Sequence, residues 1–287
     1  MKSFKIFSGS IAFILALATI TSCDDDSTPN PDPQPGTGIE TPVDPSNVFV
    51  SGTPRQAAGF TIKQNAKGQV SEILYANEKY VFSYFTTTTR TVNQTDYDMT
   101  VAVTGDERDD AFTFYFKLNE MGFVKFAYQK YADGSEPGRW WFKYNKEGQI
   151  VEMRRSEDYE TTLIAYNNDG DIVNVEVSDG KWKDTSVIKY TDAQNNTPIE
   201  NKGCIMLFDD CFDIDMDEMA PIYYAGLLGK ATKNLPISSE ETSTDDSGTH
   251  KETQTFSWTM NTNNLPIKFV SKEVGQPGIE EIEIFEW

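Results

Sequence analysis

The sequence predicts a mainly β protein: an antiparallel up-and-down meander forming a strongly curved or barrel-like sheet, with one short helix in its C-terminal half. Three observations carry this. A four-residue unit, Asn-x-x-Gly, recurs at 65–68, 119–122, 145–148 and 167–170, with copies ending in Asn at 192–195 (begun by Asp192) and 261–264. A type I turn takes Asn or Asp first and needs a left-handed residue at its end, which Gly and then Asn adopt most readily. Side chains alternate with period two around these turns, as in Phe112, Phe114 and Phe116 against Thr113, Tyr115 and Lys117, the pattern of half-buried strands. Gly122, Gly148 and Gly170 stand 26 and 22 residues apart, which suits two strands per unit. Sequential strands usually pair, and such a sheet must close, stack or cap its edges.

In chain order, residues 1–22 read as a signal peptide: Lys2 and Lys5 precede an apolar run at 11–20 that is too short to span a bilayer. The run ends in Ile20-Thr21-Ser22-Cys23, which resembles a bacterial lipobox. Cys23 is therefore the expected lipidation site, and acyl chains there anchor a protein without a spanning helix. Residues 23–46 follow as an acidic, Pro-rich spacer. Asp24, Asp25 and Asp26 resemble the signal that sends Bacteroidetes lipoproteins to the outer face of the outer membrane, which places the protein there, facing the exterior. Pro29, Pro31, Pro33 and Pro35 keep the spacer extended.

Residues 47–287 are then a single β-rich domain. Phe60 and Ile62 lead into the turn at Asn65, residues 70–74 lead out, and Tyr80, Phe82 and Tyr84 share a strand face. Residues 86–92 suit an exposed edge; Met99, Val101 and Val103 form a short strand; 105–110 is a charged loop. Phe112, Phe114 and Phe116 lead through Asn119 into Val124, Phe126 and Tyr128, read as a core-facing row. Trp140, Phe142 and Tyr144 lead into Asn145, and Val173, Val175 and Val177 follow the turn at Asn167. Residues 205–232 break the pattern. Within them, 218–229 fit a short helix, with Pro221 in its first turn and Gly229 near its end, expected to cap one end of the sheet. Residues 238–252 read as a polar loop, Phe256, Trp258 and Met260 as a strand into the last turn, and 282–287 as the closing strand.

The chain has 25 Lys plus Arg against 45 Asp plus Glu, a net charge of −20 that becomes −22 without Lys2 and Lys5. Nucleic acid is disfavoured as a partner, because binding it needs a cationic surface. The partners left are outer-membrane lipid, through the anchor, and a glycan or another surface protein; no cofactor is implied. Cys204 and Cys211 occupy a compartment that permits disulfides, and either a bridge or two free buried thiols fit. One His and no Cys-x-x-Cys pair leave no zinc site. Asp213, Asp215 and Asp217 are the calcium candidates. As an EF-hand the stretch fails, because Glu218 stands where Gly is required and Tyr224 where the bidentate Glu belongs. A strand with a solvated acidic face suits the interleaved Phe212, Ile214 and Met216 better.

His250 is the one imidazole available to a serine or cysteine hydrolase, and a glycosidase's two carboxylates cannot be located among 45 acids. Trp140 and Trp141 point to opposite strand faces. With Trp140 in the core, Trp141, together with Trp182, is the candidate for stacking on a sugar ring.

The lipobox and acidic tail, the Tyr-Asn-x-x-Gly-x-Ile units at 144–150 and 166–172, and the insert with Gly226-Leu227-Leu228-Gly229-Lys230 and Lys233-Asn234-Leu235-Pro236 are together similar to gut Bacteroides surface lipoproteins of a domain family of unknown function. This resemblance covers residues 60–287. It implies a porin-like β-fold and supplies no activity, ligand or catalytic residue. The hairpin unit is also distantly similar to the Tyr-Asp repeats of Rhs-type surface proteins. The expected function is a surface-tethered, non-catalytic binding or adhesion module, with glycans as the ligand class. The alternative is a carrier of an apolar ligand within a β half-barrel, and a hydrolase comes third. A transmembrane barrel suits the terminal Trp287, but Lys125, Gln129, Glu152, Arg154 and Lys189 interrupt the apolar faces it needs.

Overall fold

The structure, a computed structural model, describes residues 45–85, 97–105, 111–131, 138–157, 159–245, 248–276, 278 and 280–287. The expected signal peptide, Cys23, the expected spacer up to residue 44, the expected 86–92 edge and residues 106–110 lie outside them. The first strands are β1 (Gln56–Ala57), β2 (Phe60–Gln64), β3 (Val70–Tyr75), β4 (Glu78–Tyr84), β5 (Met99–Thr104) and β6 (Phe112–Leu118). Next come β7 (Val124–Tyr131), β8 (Arg139–Tyr144), β9 (Ile150–Arg155), β10 (Thr161–Tyr166), β11 (Ile172–Ser178) and β12 (Lys183–Lys189). A separate two-stranded pair, β13 (Ile199–Glu200) and β14 (Asn234–Leu235), brackets helix α1 (Phe208–Phe212) and helix α2 (Ala220–Tyr224), the latter continuing a 3-10 turn at Asp217–Met219. β15 (Ser238–Asp245), β16 (Gly248–Met260), β17 (Pro266–Glu273) and β18 (Glu280–Ile284) end the chain.

Sixteen of these strands form one antiparallel sheet in the order β1 to β12, then β15 to β18. Its two ends meet. Arg55 and Gln56 N–H donate to the Glu286 carbonyl at 2.7 and 3.2 Å, and Glu286 N–H donates to the Gln56 carbonyl at 2.9 Å. The meander is thus a nearly closed barrel, which leaves few edge groups to pair with another chain.

Five of the six Asn/Asp turn units close hairpins. At Asn167, for example, the side-chain oxygen accepts from Asp169 and Asp171 N–H at 2.9 and 3.0 Å, and Gly170 N–H donates to the Asn167 carbonyl at 3.1 Å. The last residue is left-handed each time: φ is 78 to 88° at Gly68, Gly122, Gly148 and Gly170, and 59° at Asn264. A register shift follows in all five hairpins. Tyr144 and Tyr166, just before two of the asparagines, donate their hydroxyls to the carbonyls of Val124 (2.6 Å) and Ile150 (2.9 Å) in the preceding hairpin. The Tyr-Asn pair therefore staples one hairpin to the next.

The register shift corrects one reading. An extra residue at Lys125 turns later side chains of β7 by one place. Val124 and Ala127 face the core, whereas Phe126 and Tyr128 face out. For the same reason Gln129 points inward, opposite Phe114, and does not interrupt the outer surface. Residues 238–245 and 248–252 are strand rather than loop, because β15 pairs with β12 along seven residue pairs and with β16 along eight. Backbone bonding between two flanking strands stabilises a Ser/Thr/Glu strand that has no apolar alternation.

By antiparallel parity, all the Asn turns lie at one end of the barrel, and the chain between β12 and β15 enters and leaves there. It does not cap that end. Residues 205–228 run through the interior, where Phe208, Phe212, Ile214, Met216, Ile222 and Tyr223 join the inward strand residues in one core. Burying such side chains contributes roughly 1.5–3 kcal/mol each. Five-residue helices do not persist alone, so the core holds this segment in place. The 212–216 stretch is unpaired rather than a strand, but its alternation holds: Phe212, Ile214 and Met216 are buried while Asp215 is exposed.

Its return leg lies along the turns. Val124 N–H donates to the Leu227 carbonyl (2.8 Å), Lys230 N–H to Gly148 (2.9 Å) and Lys233 N–H to Gly170 (3.3 Å). The buried Gln149 amide bridges the carbonyls of Gly170 and Ala231. Asn201 ties the two ends of the segment, donating to the carbonyls of Ile205 (2.8 Å) and Thr232 (3.1 Å). Gly229 has φ +82°, and a Cβ there would collide with the Gly148 carbonyl and lie 2.9 Å from the Tyr144 ring. Gly229→Ala is therefore expected to cost about 3 kcal/mol, read as a lowered urea midpoint at an unchanged slope.

Candidate binding face

An aromatic surface lies on the outer face of β6, β7 and β8. Phe126 lies opposite Trp141 with ring centroids 5.7 Å apart; Tyr115 is 6.1 Å from Tyr128 and 5.1 Å from Tyr97. Arg139 sits over the Tyr128 ring at 5.8 Å and Lys117 over Tyr97 at 5.9 Å. Trp141 is 40% exposed, while Trp140 is buried at 2%, as the alternation along β8 requires. Arg154 stands opposite Trp141 on β9, and its Nε bonds Glu152, which also holds Lys143 at 2.9 Å. The result is a ridged apolar platform rimmed by guanidinium and ammonium groups, on a chain that is acidic overall.

Trp182 does not join this platform. It packs against the core and is half-buried, on the inner side of the sheet. The outer aromatics Phe126 and Tyr128 escaped the sequence reading because the bulge at Lys125 cannot be seen as a break in period two. Tyr115 was visible as the aromatic partner of the Phe112, Phe114 and Phe116 row.

Cys204 and Cys211 are free thiols. Cys211 is buried in α1, and the core-facing Ile205, Met206, Leu207 and Phe208 separate it from Cys204, which occupies a left-handed position (φ 52°). Burial pushes both thiols up, Cys211 well above its ordinary value, so neither is a thiolate at neutral pH. The calcium candidates are anchors instead. Asp213 accepts from Ser186 of β12 at 2.6 Å. Asp215 and Asp217 reach Arg155 of β9, Asp215 at 3.4 Å and Asp217 in closer contact, while Glu160 bonds the same guanidinium at 2.8 Å. Among the described residues no group of three or more such side chains is arranged to hold a metal ion.

His250 lies in β16, exposed, opposite Ser243, which is itself opposite Asp184 of β12. This row has the residue types of a triad but not its wiring. Ser243 donates to Asp184 at 2.5 Å, whereas a nucleophilic serine must give its proton to the imidazole.

The Arg155 anchor sits at the barrel end opposite the Asn turns, so the interior segment is fixed at both ends. Near Arg155, the buried Trp140 Nε1, Arg155 Nε and Thr162 Oγ1 have no hydrogen-bond partner among the described residues, which makes this the least satisfied layer of the core. Burial raises Glu218, and the carboxylates of Glu78, Glu157 and Asp215 raise it further. On β18 the pattern inverts: Ile282 and Ile284 face out, while Glu281 and Glu283 turn towards the interior. Burial, and then Asp210 of α1 and Glu281, push Glu283 from 4.5 up to about 7.

Residues 58–268 match a family model described as "Domain of unknown function (DUF4595) with porin-like fold". The chain belongs to this family. Two solved family-like folds are similar to it. One is a porin-like protein from Bacteroides uniformis ATCC 8492, with 16% identity, 79% of this chain and 89% of that chain covered, and a TM-score of 0.56. The other is a porin-like protein from Bacteroides vulgatus ATCC 8482, with 12% identity, 78% and 90% covered, and a TM-score of 0.50. At these identities the likeness is one of fold alone. Comparison with curated proteins gives no match.

Two outcomes follow from the anchors. Arg155→Met leaves the buried Glu160, with Asp215 and Asp217 beside it, without their cation and is expected to cost about 3 kcal/mol, seen as a lower thermal midpoint. Glu283 is raised to about 7, so the folded state binds more protons than the unfolded one as pH approaches that value, and its stabilisation is present on the acidic side and lost as pH rises through about 7. Glu218, also raised, acts in the same direction. The thermal midpoint should therefore be higher at about pH 5.5 than at about pH 8, and Glu283→Gln should flatten that difference.

Proposed function

We propose that this protein is a non-catalytic binding module of the bacterial surface, tethered through a lipidated Cys23, that engages glycans with the outer face of β6–β8. The observation that carries this reading is Trp141, exposed between Phe126 and Arg154 on a rigid strand. An indole on a regular sheet stacks on a sugar ring with little entropy left to lose, and flanking Arg and Lys side chains supply hydrogen-bond donors to hydroxyl or acidic groups. The polar outer wall supports tethering rather than insertion. Lys63, Lys79, Lys125, Lys143 and Lys189 all stand on outward, exposed positions, where a lipid-facing band needs apolar residues.

The interior offers no comparable argument for a carrier, since residues 205–228 occupy the volume an apolar ligand would need. Trp141→Ala is expected to weaken binding to immobilised surface or dietary polysaccharides by at least about tenfold, with an unchanged thermal midpoint. Unaltered binding by that variant would remove the outer face from consideration.

A further inference from the structure

The sixth turn unit, 192–195, keeps only part of its siblings' bonding: Asp192 Oδ1 accepts from Gln194 N–H at 2.8 Å, but Asp192 N–H donates to the Asn195 carbonyl at 3.0 Å, one residue short of the bond the siblings make. It closes no hairpin. The strand that should return beside β12 is replaced by β13 and the interior segment, and β12 finds its partner only when the chain comes back as β15. The wall is sealed as far as Ile237, whose N–H donates to the Lys189 carbonyl and whose carbonyl accepts from Phe256 N–H, both at 2.8 Å. Beyond that point β15 has not begun, while β16 continues to Met260. A half-open groove of about 540 Å³ remains between the 192–197 loop and residues 255–258 of β16.

We propose that this groove is a binding site for a neutral saccharide, separate from the outer aromatic face and independent of its role. The volume falls within the roughly 300–1,000 Å³ of small-molecule sites. One side presents the amides of Gln194 and Asn196, with the Asn195 amide bonded back to Asp192, and the other the hydroxyls of Ser257 and of Thr255, the latter donating to the Lys272 carbonyl at 3.4 Å. Among the described residues, the side chains of Gln194 and Ser257 hold no hydrogen bond, so their donors and acceptors are open to a ligand. The apolar wall is Ile199, Ile237 and the exposed part of Trp258, whose indole is fixed by its Nε1–H donating to the Pro236 carbonyl at 2.8 Å. Trp258 lies on the inner face of β16 beside Phe269 while Thr255 and Ser257 face out, so at the strand's edge the groove pairs an apolar floor with a rim of amides and hydroxyls, which suits the mixed polar and apolar surface of a pyranose.

The lining has no lysine or arginine to balance an anion, and its one carboxylate, Asp192, is engaged by the backbone of its own turn. A neutral ligand follows from that charge pattern.

The test uses the full chain on an array of neutral, sulfated and uronate-containing oligosaccharides. Two groove variants are compared with wild type and with Trp141→Ala: the exposed-loop pair Gln194→Ala plus Asn196→Ala, and Ser257→Tyr, which fills the groove from the outer rim. Neutral members should bind wild type, and both groove variants should lose at least about tenfold of that binding while Trp141→Ala keeps it. If Ser257→Tyr fails to fold, the loop pair alone decides. The proposal is overturned if the groove variants bind neutral sugars as wild type does, if only charged members bind, or if nothing on the array binds. Loss of charged or polymeric ligands in Trp141→Ala alone would sustain the outer-face reading and leave the groove without support.

Discussion

Sixteen strands closed into a ring enclose more volume than their own side chains can fill, since about eight already give the width that inward residues just occupy. That excess interior has to be taken up. Here residues 205–228 do so, with Tyr223, Tyr224, Phe212 and Met219 fully buried among the strands' own aromatics. Phe49, from the start of the described chain, stacks on Tyr224 and meets Tyr223 edge-on. The barrel is consequently a filled body.

The repeated turns acquire a second role from this arrangement. All face one end, so their backbone groups form a row of donors and acceptors on which the returning leg, 227–234, is laid. Gly148 and Gly170 serve both the hairpin and the interior segment. Buried Asp171 adds to the row, accepting from Asn234 through both oxygens at 2.7 Å. At the opposite end the fastening is ionic, through Arg155, and surrounded by acids. One end is thus held mainly by backbone hydrogen bonds with one buried carboxyl among them, and the other by ion pairs.

The inverted strand β18 belongs to the same logic. It lies at the seam where the ring closes on β1, and its inward acids face Asp210 of α1. Two isoleucines on its outer side, Ile282 and Ile284, are left exposed beside Val270 of β17. A seam that buries carboxylates near another acid is held less tightly than the rest of the wall, because those groups resist ionisation away from water.

The amino-acid sequence by itself determined the turns and the antiparallel meander they build. Asn at the start of a turn and Gly at its end are local requirements of backbone geometry, and alternation at Phe112–Phe116 or Trp140–Trp141 follows from the pleat. Local rules of that kind need no knowledge of the rest of the chain. Three things needed the tertiary structure. The one-residue bulge at Lys125 moved Phe126 and Tyr128 to the outside, because register depends on the partner strand. β15 is a strand only because β12 and β16 flank it, so its polar sequence carried no sign of it. The acids at 213, 215 and 217 became anchors, and the 218–229 helix an interior filling rather than a cap, because ring closure created a volume that only that stretch was placed to occupy.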